Sequence, residues 1–142
     1  MRASPNFSTE EVATALEVID EALAGDPEYT VNVLENAAGD VAGYECHGPT
    51  PLTAGTFDLY WIAVDPRVQN RGYGHRLLVA TEEDVVRRGG RLLLIETSSQ
   101  AGYAATIQFY KRNGYRVEAR IRDFYRPGDD KLVFAKYLGS QP

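Results

Sequence analysis

The residues best suited to chemistry lie between Val64 and Leu78, where Gln69-Asn70-Arg71-Gly72-Tyr73-Gly74-His75-Arg76 joins an apolar strand to a helix. Leu77, Leu78, Thr81 and Val85 recur at helical spacing after the loop, so Gly72 and Gly74 fall on the first helical turn. The first N–H groups of a helix have no partner within it, and the macrodipole presents its positive end there. Such a junction suits an anion, phosphate above all. Glycine at 72 and 74 lets a ligand come close to the backbone. Two other phosphate loops are excluded by spacing. A dinucleotide fingerprint needs a third glycine where Leu77 stands, and a P-loop needs Gly-Lys-Ser/Thr where the chain has Gly74-His75-Arg76.

Three side chains are placed to accept a proton. Glu96 ends the apolar run Leu92-Leu93-Leu94-Ile95, where low polarity would raise a carboxyl toward the range of a general base. An ion pair with an arginine is the equal alternative. Asp58, just ahead of the strand that feeds the loop, is the second candidate. His47 is the third, although a lone histidine before Gly48-Pro49 is more often just a turn residue.

Alternating elements must hold these groups. Ser8 to Glu11 reads as a capping box, Val12, Leu16, Ile19 and Leu23 as one apolar helix stripe, and Gly25-Asp26-Pro27 as its stop. Thr30 to Asn36 and Val41 to Cys46 form a hairpin around Ala37-Ala38-Gly39-Asp40, and residues 48–55 a loop before a strand from Leu59 to Val64. After the glycine loop and its helix, Gly89-Gly90 leads into Arg91 to Thr97, which reads as a strand buried on both faces. A short helix from about Tyr103 ends at Asn113-Gly114. Tyr115, Val117, Ala119 and Ile121 then alternate with charged residues, and Lys131 to Leu138 closes a last hairpin after Pro127-Gly128.

Composition sets outer bounds. A chain of 142 residues with 44% hydrophobic content is expected to be a single domain over 1–142, residues 1–7 being flexible. One cysteine, Cys46, allows no intrachain disulfide, and with two histidines no metal cluster is expected. No signal peptide or membrane span is evident, so a cytoplasmic setting is the default. The net charge of −5 divides unevenly, −10 over residues 1–58 against +5 over residues 59–142. A basic second half suits a phosphorylated ligand and an acidic first half a cationic amine, while the overall acidity argues against nucleic acid.

Gln69 to Gly74 reads Q-x-x-G-x-G, and with the preceding strand, Val64-Asp65-Pro66 and the downstream Phe109-Tyr110 to Gly114-Tyr115, it resembles the GNAT superfamily of N-acetyltransferases. The resemblance implies an α/β (α+β) fold, with a mixed, mostly antiparallel twisted sheet and helices on both faces, over residues from about 8 to 138. The family's first strand is missing here. That leaves Thr30 to Asn36 as an open edge, which a partner subunit, as in a homodimer, or a fused domain would cover. It also implies acetyl-CoA as cosubstrate, no metal, and acetyl transfer to a primary amine, either a small molecule or a protein N-terminus. The strand up to Ile62, Ala63 and Val64 would hold the thioester through backbone N–H groups of Ile62 and Val64. Gln69, Asn70, Arg71, Gly72, Tyr73, Gly74, His75 and Arg76 would take the pyrophosphate. Tyr110 matches a tyrosine that protonates the leaving thiolate, and Glu96 a carboxylate that deprotonates the amine through water. Tyr110 also sits with Tyr103 and Ile107 on the core stripe of its helix, so packing alone would explain it. Tyr103 stands where relatives often carry an asparagine that touches the coenzyme. A non-catalytic acetyl-CoA sensor is the second reading, and another nucleotide-binding α/β module the third.

Overall fold

The computed structural model describes residues 9–24 and 28–139. Ser8 of the expected capping box, the Gly25-Asp26-Pro27 stop and the segment 1–7 lie outside the described residues. Helix α1 (Thr9–Ala22) is followed by strands β1 (Thr30–Glu35), β2 (Val41–Pro49) and β3 (Thr56–Val64). Then come α2 (Tyr73–Arg87), β4 (Leu92–Ser98), α3 (Ala104–Arg112), β5 (Arg116–Arg126) and β6 (Asp129–Tyr137).

The six strands form one sheet in the order β1-β2-β3-β4-β6-β5, in which only the β3–β4 pair is parallel. No strand precedes Thr30 among the described residues, and β1 is an edge. One face carries α2 and α3. Leu77, Leu78 and Val85 of α2 and Tyr110 of α3 share a core with Phe57, Leu59, Ile62 and Val64 of β3, Leu93 and Ile95 of β4, and Phe134 of β6. The other face carries α1. Its Val12 and Ile19 are buried apart from that core, and the β2 residues Ala42 and Cys46, which alternate with residues facing α2, are buried there as well.

Four strands depart from the sequence reading. The strands β2 and β3 run to Pro49 and from Thr56, so the expected loop shrinks. β4 is buried on one face, through Leu93, Ile95 and Thr97, while on the other Leu92, Leu94 and Ser98 are half-buried and Glu96 is exposed. β5 is exposed along its whole length, Val117 and Ile121 included, because it forms the second sheet edge and pairs only with β6.

Candidate active site

A single extra residue opens the sheet. Cys46 pairs with Trp61 and His47 with Leu59, leaving Tyr60 bulged out of the β2–β3 ladder. The bulge shifts the alternation of β3, so that Phe57 and Leu59 before it and Ile62 and Val64 after it all face the same core. Beyond it the strands part. The parallel β3–β4 ladder ends at Leu59↔Ile95; Trp61 to Val64 pair only with β2, and Glu96 to Ser98 only with β6. The Asp65 N–H donates to Ala42 O at 2.8 Å on the β2 side. Period-two alternation therefore directs the N–H groups of Val64 and Ile62 to the opposite edge, into the gap. Ala63 takes the other parity and lines the far side.

Two cavities meet at this gap, and Ile62 lines both. The first, of about 650 Å³, runs along the start of α2 and is lined by Ile62, Val64, Val68, Gln69, Asn70, Gly72, Tyr73, Gly74 and His75, with Thr106, Phe109, Arg112 and Asn113 opposite. Asn70 (φ 66°) and Gly72 (φ 78°) adopt left-handed conformations that turn the chain into the helix. The Arg76 N–H is the first to close on Gly72 O, at 3.0 Å, and Gly72 has no side chain to cap the turn. The N–H groups of Tyr73, Gly74 and His75 are thus free to meet an anion.

Gly74 has a different reason from the one its place in the loop suggested. A Cβ there would stand 2.8 Å from Phe109 Cζ, so this glycine admits the Phe109 ring, whereas one at Gly72 would meet nothing within 4 Å. The His75 side chain turns away to Asn113, with Nδ1 2.7 Å from Oδ1, leaving its backbone to the groove. Arg71 and Arg76 are exposed and stand outside the groove wall, Arg76 6.0 Å from the Tyr73 ring centre. Arg112 and Asn113, on the wall, escaped the sequence reading, where they marked only a helix end.

The second cavity, about 540 Å³, opens across the gap and is lined by Ile62, Ala63, Glu96, Thr97, Ser98, Tyr110, Asp129 and Arg126, with tyrosines 44, 60, 103 and 125. Tyr110 is both core and cavity wall. Its ring packs on Phe109, Tyr115 and Phe134, with centres 5.5–6.2 Å apart, and its hydroxyl finds no partner among the described residues. Burial pushes its pKa well above the usual phenol value, so it keeps its proton.

Glu96 is not shielded as expected. Its side chain is 53% exposed and pairs with Lys131 Nζ at 3.1 Å, because the face of β4 that carries it is open. Asp58 lies nearby on β3, where it accepts from Thr50 Oγ1 at 2.6 Å. Burial raises its pKa, the Thr50 hydrogen bond opposes this, and the Glu96 charge adds to the rise.

His47 is neither a turn residue nor a base facing the cleft. It is fully buried in β2, with Nδ1 2.8 Å from Glu45 Oε2 and Nε2 2.7 Å from Asp84 Oδ2 on α2. Burial alone would lower its pKa, but the two carboxylates outweigh that and raise it. With a carboxylate within hydrogen-bond distance of each ring nitrogen, His47 ties β2 to α2 one place from the bulge.

A sheet parted at a bulge thus sets a helix start suited to an anion at one side of the gap and polar groups at the other. The acetyltransferase (GNAT) domain profile matches residues 27–117. A crystal structure of a GNAT-family protein from Desulfovibrio desulfuricans is 45% identical, with a TM-score of 0.81 over 94% of this chain and 84% of that one. The chain belongs to the GNAT acetyltransferase family. It is also 39% identical over 72 residues to the [ribosomal protein bS18]-alanine N-acetyltransferase of Escherichia coli (strain K12), a match covering 51% of this chain and 47% of that protein. The chain thus spans about half the length of the curated relatives it matches. An aminoglycoside 6'-N-acetyltransferase solved with coenzyme A shares the fold at 17% identity, with a TM-score of 0.76 over 91% of this chain and 82% of the other. Among the described residues no helix is long and apolar enough to cross a membrane, and no cluster of His, Cys, Asp and Glu could hold a metal ion.

Proposed function

We propose that the protein transfers an acetyl group from acetyl-CoA to a primary amine by direct attack, the coenzyme entering from the α2 side and the amine from the other. The observation that carries this reading is the parting of β3 and β4 beyond Leu59↔Ile95, with Ile62 at the gap lining both cavities. The free N–H groups of Tyr73, Gly74 and His75 support a pyrophosphate site, with Gln69 and Asn70 shaping the turn and Arg71, Arg76 and Arg112 adding positive charge at its rim. The N–H groups of Ile62 and Val64 would hold and polarise the thioester carbonyl. The chemistry supplied by the cosubstrate is an activated acetyl group on sulfur.

In this account the neutral amine nitrogen bonds to the carbonyl carbon as the carbon–sulfur bond breaks. The sulfur leaves with that electron pair and takes a proton from Tyr110, and the nitrogen gives up one proton to Glu96 or Asp58 through water. The raised pKa of Tyr110 makes it a weak acid. Its main contribution is then a hydrogen bond to sulfur as negative charge develops, with proton transfer completing late. Tyr110 would be reprotonated from the amine side, so no net proton is lost from the protein.

Calorimetry with acetyl-CoA, followed by thiol release over a panel of amines, tests this reading. Micromolar binding and amine-dependent thiol release are expected. Tight binding with no amine turned over would favour the sensor, and preference for NAD or ATP would end both. A cytoplasmic setting, where Cys46 stays a thiol, goes with this reading.

A further inference from the structure

Given that acetylation takes place between the two cavities, we propose that the acceptor is a monoamine borne on a flat apolar body, of the 2-arylethylamine kind, seated against Tyr103 and Tyr125. Rings reach this cavity from four separate elements: Tyr44 from β2, Tyr60 from β3, Tyr103 from the turn that opens α3, and Tyr125 from β5. Tyr125 is held in place by an edge-on contact with Phe124, with centres 4.9 Å apart at 85°. Tyr103 stands half-buried at the N-cap of α3 and faces this cavity rather than the groove along α2.

The charges on the wall are already matched. Glu96 pairs with Lys131, whose ammonium also lies 4.6 Å from the Phe124 ring centre. Asp129 accepts from Ser98 Oγ at 2.5 Å and faces Arg126 Nε at 3.8 Å. A polyamine or aminocyclitol needs several unpaired carboxylates, one for each ammonium it buries. Here the wall offers four tyrosine rings instead, and aromatic rings attract a single cation and stack on an apolar body. The arriving ammonium meets the rings, loses its proton beside Glu96 and presents its nitrogen to the gap.

Steady-state thiol release with 2-phenylethylamine, n-butylamine, spermidine and an alanyl peptide tests the proposal. 2-Phenylethylamine should show a kcat/KM at least about tenfold above the other three. Tyr103→Leu and Tyr125→Leu should each raise its KM about tenfold, with the Kd for acetyl-CoA unchanged, whereas Tyr103→Phe, which keeps the ring, should stay within about twofold. Spermidine or the peptide as the best acceptor, or an unchanged KM in both leucine variants, would overturn it. If acetyl-CoA binds and one of the other amines is acetylated in preference, only the acceptor class is lost. If no amine releases thiol, the transfer reading fails and the acceptor proposal with it.

Discussion

The two cavities that share Ile62 draw on the chain differently. The groove along α2 takes most of one wall from a contiguous stretch, Ile62 to His75, with α3 as its second wall. The cavity across the gap gathers its residues from β2, β3, β4, the turn before α3, β5 and β6. A site of backbone donors is fixed by φ and ψ, so it tolerates most side-chain changes and is closed by one badly placed Cβ. A site of side chains can be altered ring by ring without touching the fold. Under the proposed function the first would hold the donor and the second the acceptor, so the acceptor could vary while the donor stays constant.

Tyr110→Phe gives the largest expected effect and probes the boundary between the two. The ring keeps its contacts with Phe109, Tyr115 and Phe134 and loses a hydroxyl with no partner among the described residues, so the melting temperature should hold. If Tyr110 is the proton donor, its loss should lower kcat by ~10²–10⁴-fold with acetyl-CoA affinity unchanged. An unchanged kcat, with chemistry rate-limiting, would return Tyr110 to the core.

Gly72→Val attacks the backbone groove. Its φ of 78° makes a branched side chain locally strained, so the substitution is costlier to the fold than a helix-start position suggests. Gly72→Asn is the cleaner variant, because asparagine accepts left-handed backbone while adding the Cβ. Calorimetry should show acetyl-CoA affinity reduced about a hundredfold in the folded Asn variant, roughly 3 kcal/mol. Wild-type affinity would remove the pyrophosphate from this turn.

Asp58→Asn and Glu96→Gln compare the two carboxylates on the acceptor side. If Glu96 takes the amine proton, its variant should lose about a hundredfold in kcat/KM and Asp58→Asn only a fewfold; the reverse order would move the role to Asp58, whose pKa is raised by burial.

Stability provides a pH-dependent readout behind the groove. His47 is raised in the folded state by Glu45 and Asp84, so its contribution is full below about pH 6.5 and is lost as pH rises through the folded value. Asp84 is lowered: burial opposes this, but His47, Arg87 and Arg88 outweigh it, so its contribution is full above about pH 3.9 and is lost as pH falls further. Thermal melts should therefore be highest between those limits and decline into the alkaline range. A flat alkaline profile would mean that the imidazole is neutral throughout. The smallest effect concerns the β1 edge, where Val33 is exposed: sedimentation should show a weak, concentration-dependent dimer, and Val33→Lys should abolish it.

The sheet-and-helix order was legible because periodicity and glycine placement are local. Leu77, Leu78 and Val85 marked one helix face, and Leu93 and Ile95 the strand beneath it. The glycine loop was legible for the same reason, as a run of eight residues. Tertiary partners were not. The bulge at Tyr60 exists only as a register shift between two strands, and the role of Gly74 depends on Phe109, thirty-five residues away. His47 looked like a turn residue because nothing local in the sequence links it to Asp84, thirty-seven positions on. The exposure of Glu96 followed from which face of β4 stays uncovered, a property of the assembled layers. The cavity across the gap, gathered from distant elements, had no contiguous sequence signature.

The account stands most directly on the claim that donor groove and acceptor cavity are one continuous site. A conjugate in which coenzyme A sulfur is joined through a methylene carbonyl to the nitrogen of an amine would span both. Measured by calorimetry, it should bind at least about a hundredfold more tightly than acetyl-CoA, because the second half enters already tethered. Affinity equal to or weaker than that of acetyl-CoA would contradict the account, since the gap at Ile62 would then not connect the two cavities.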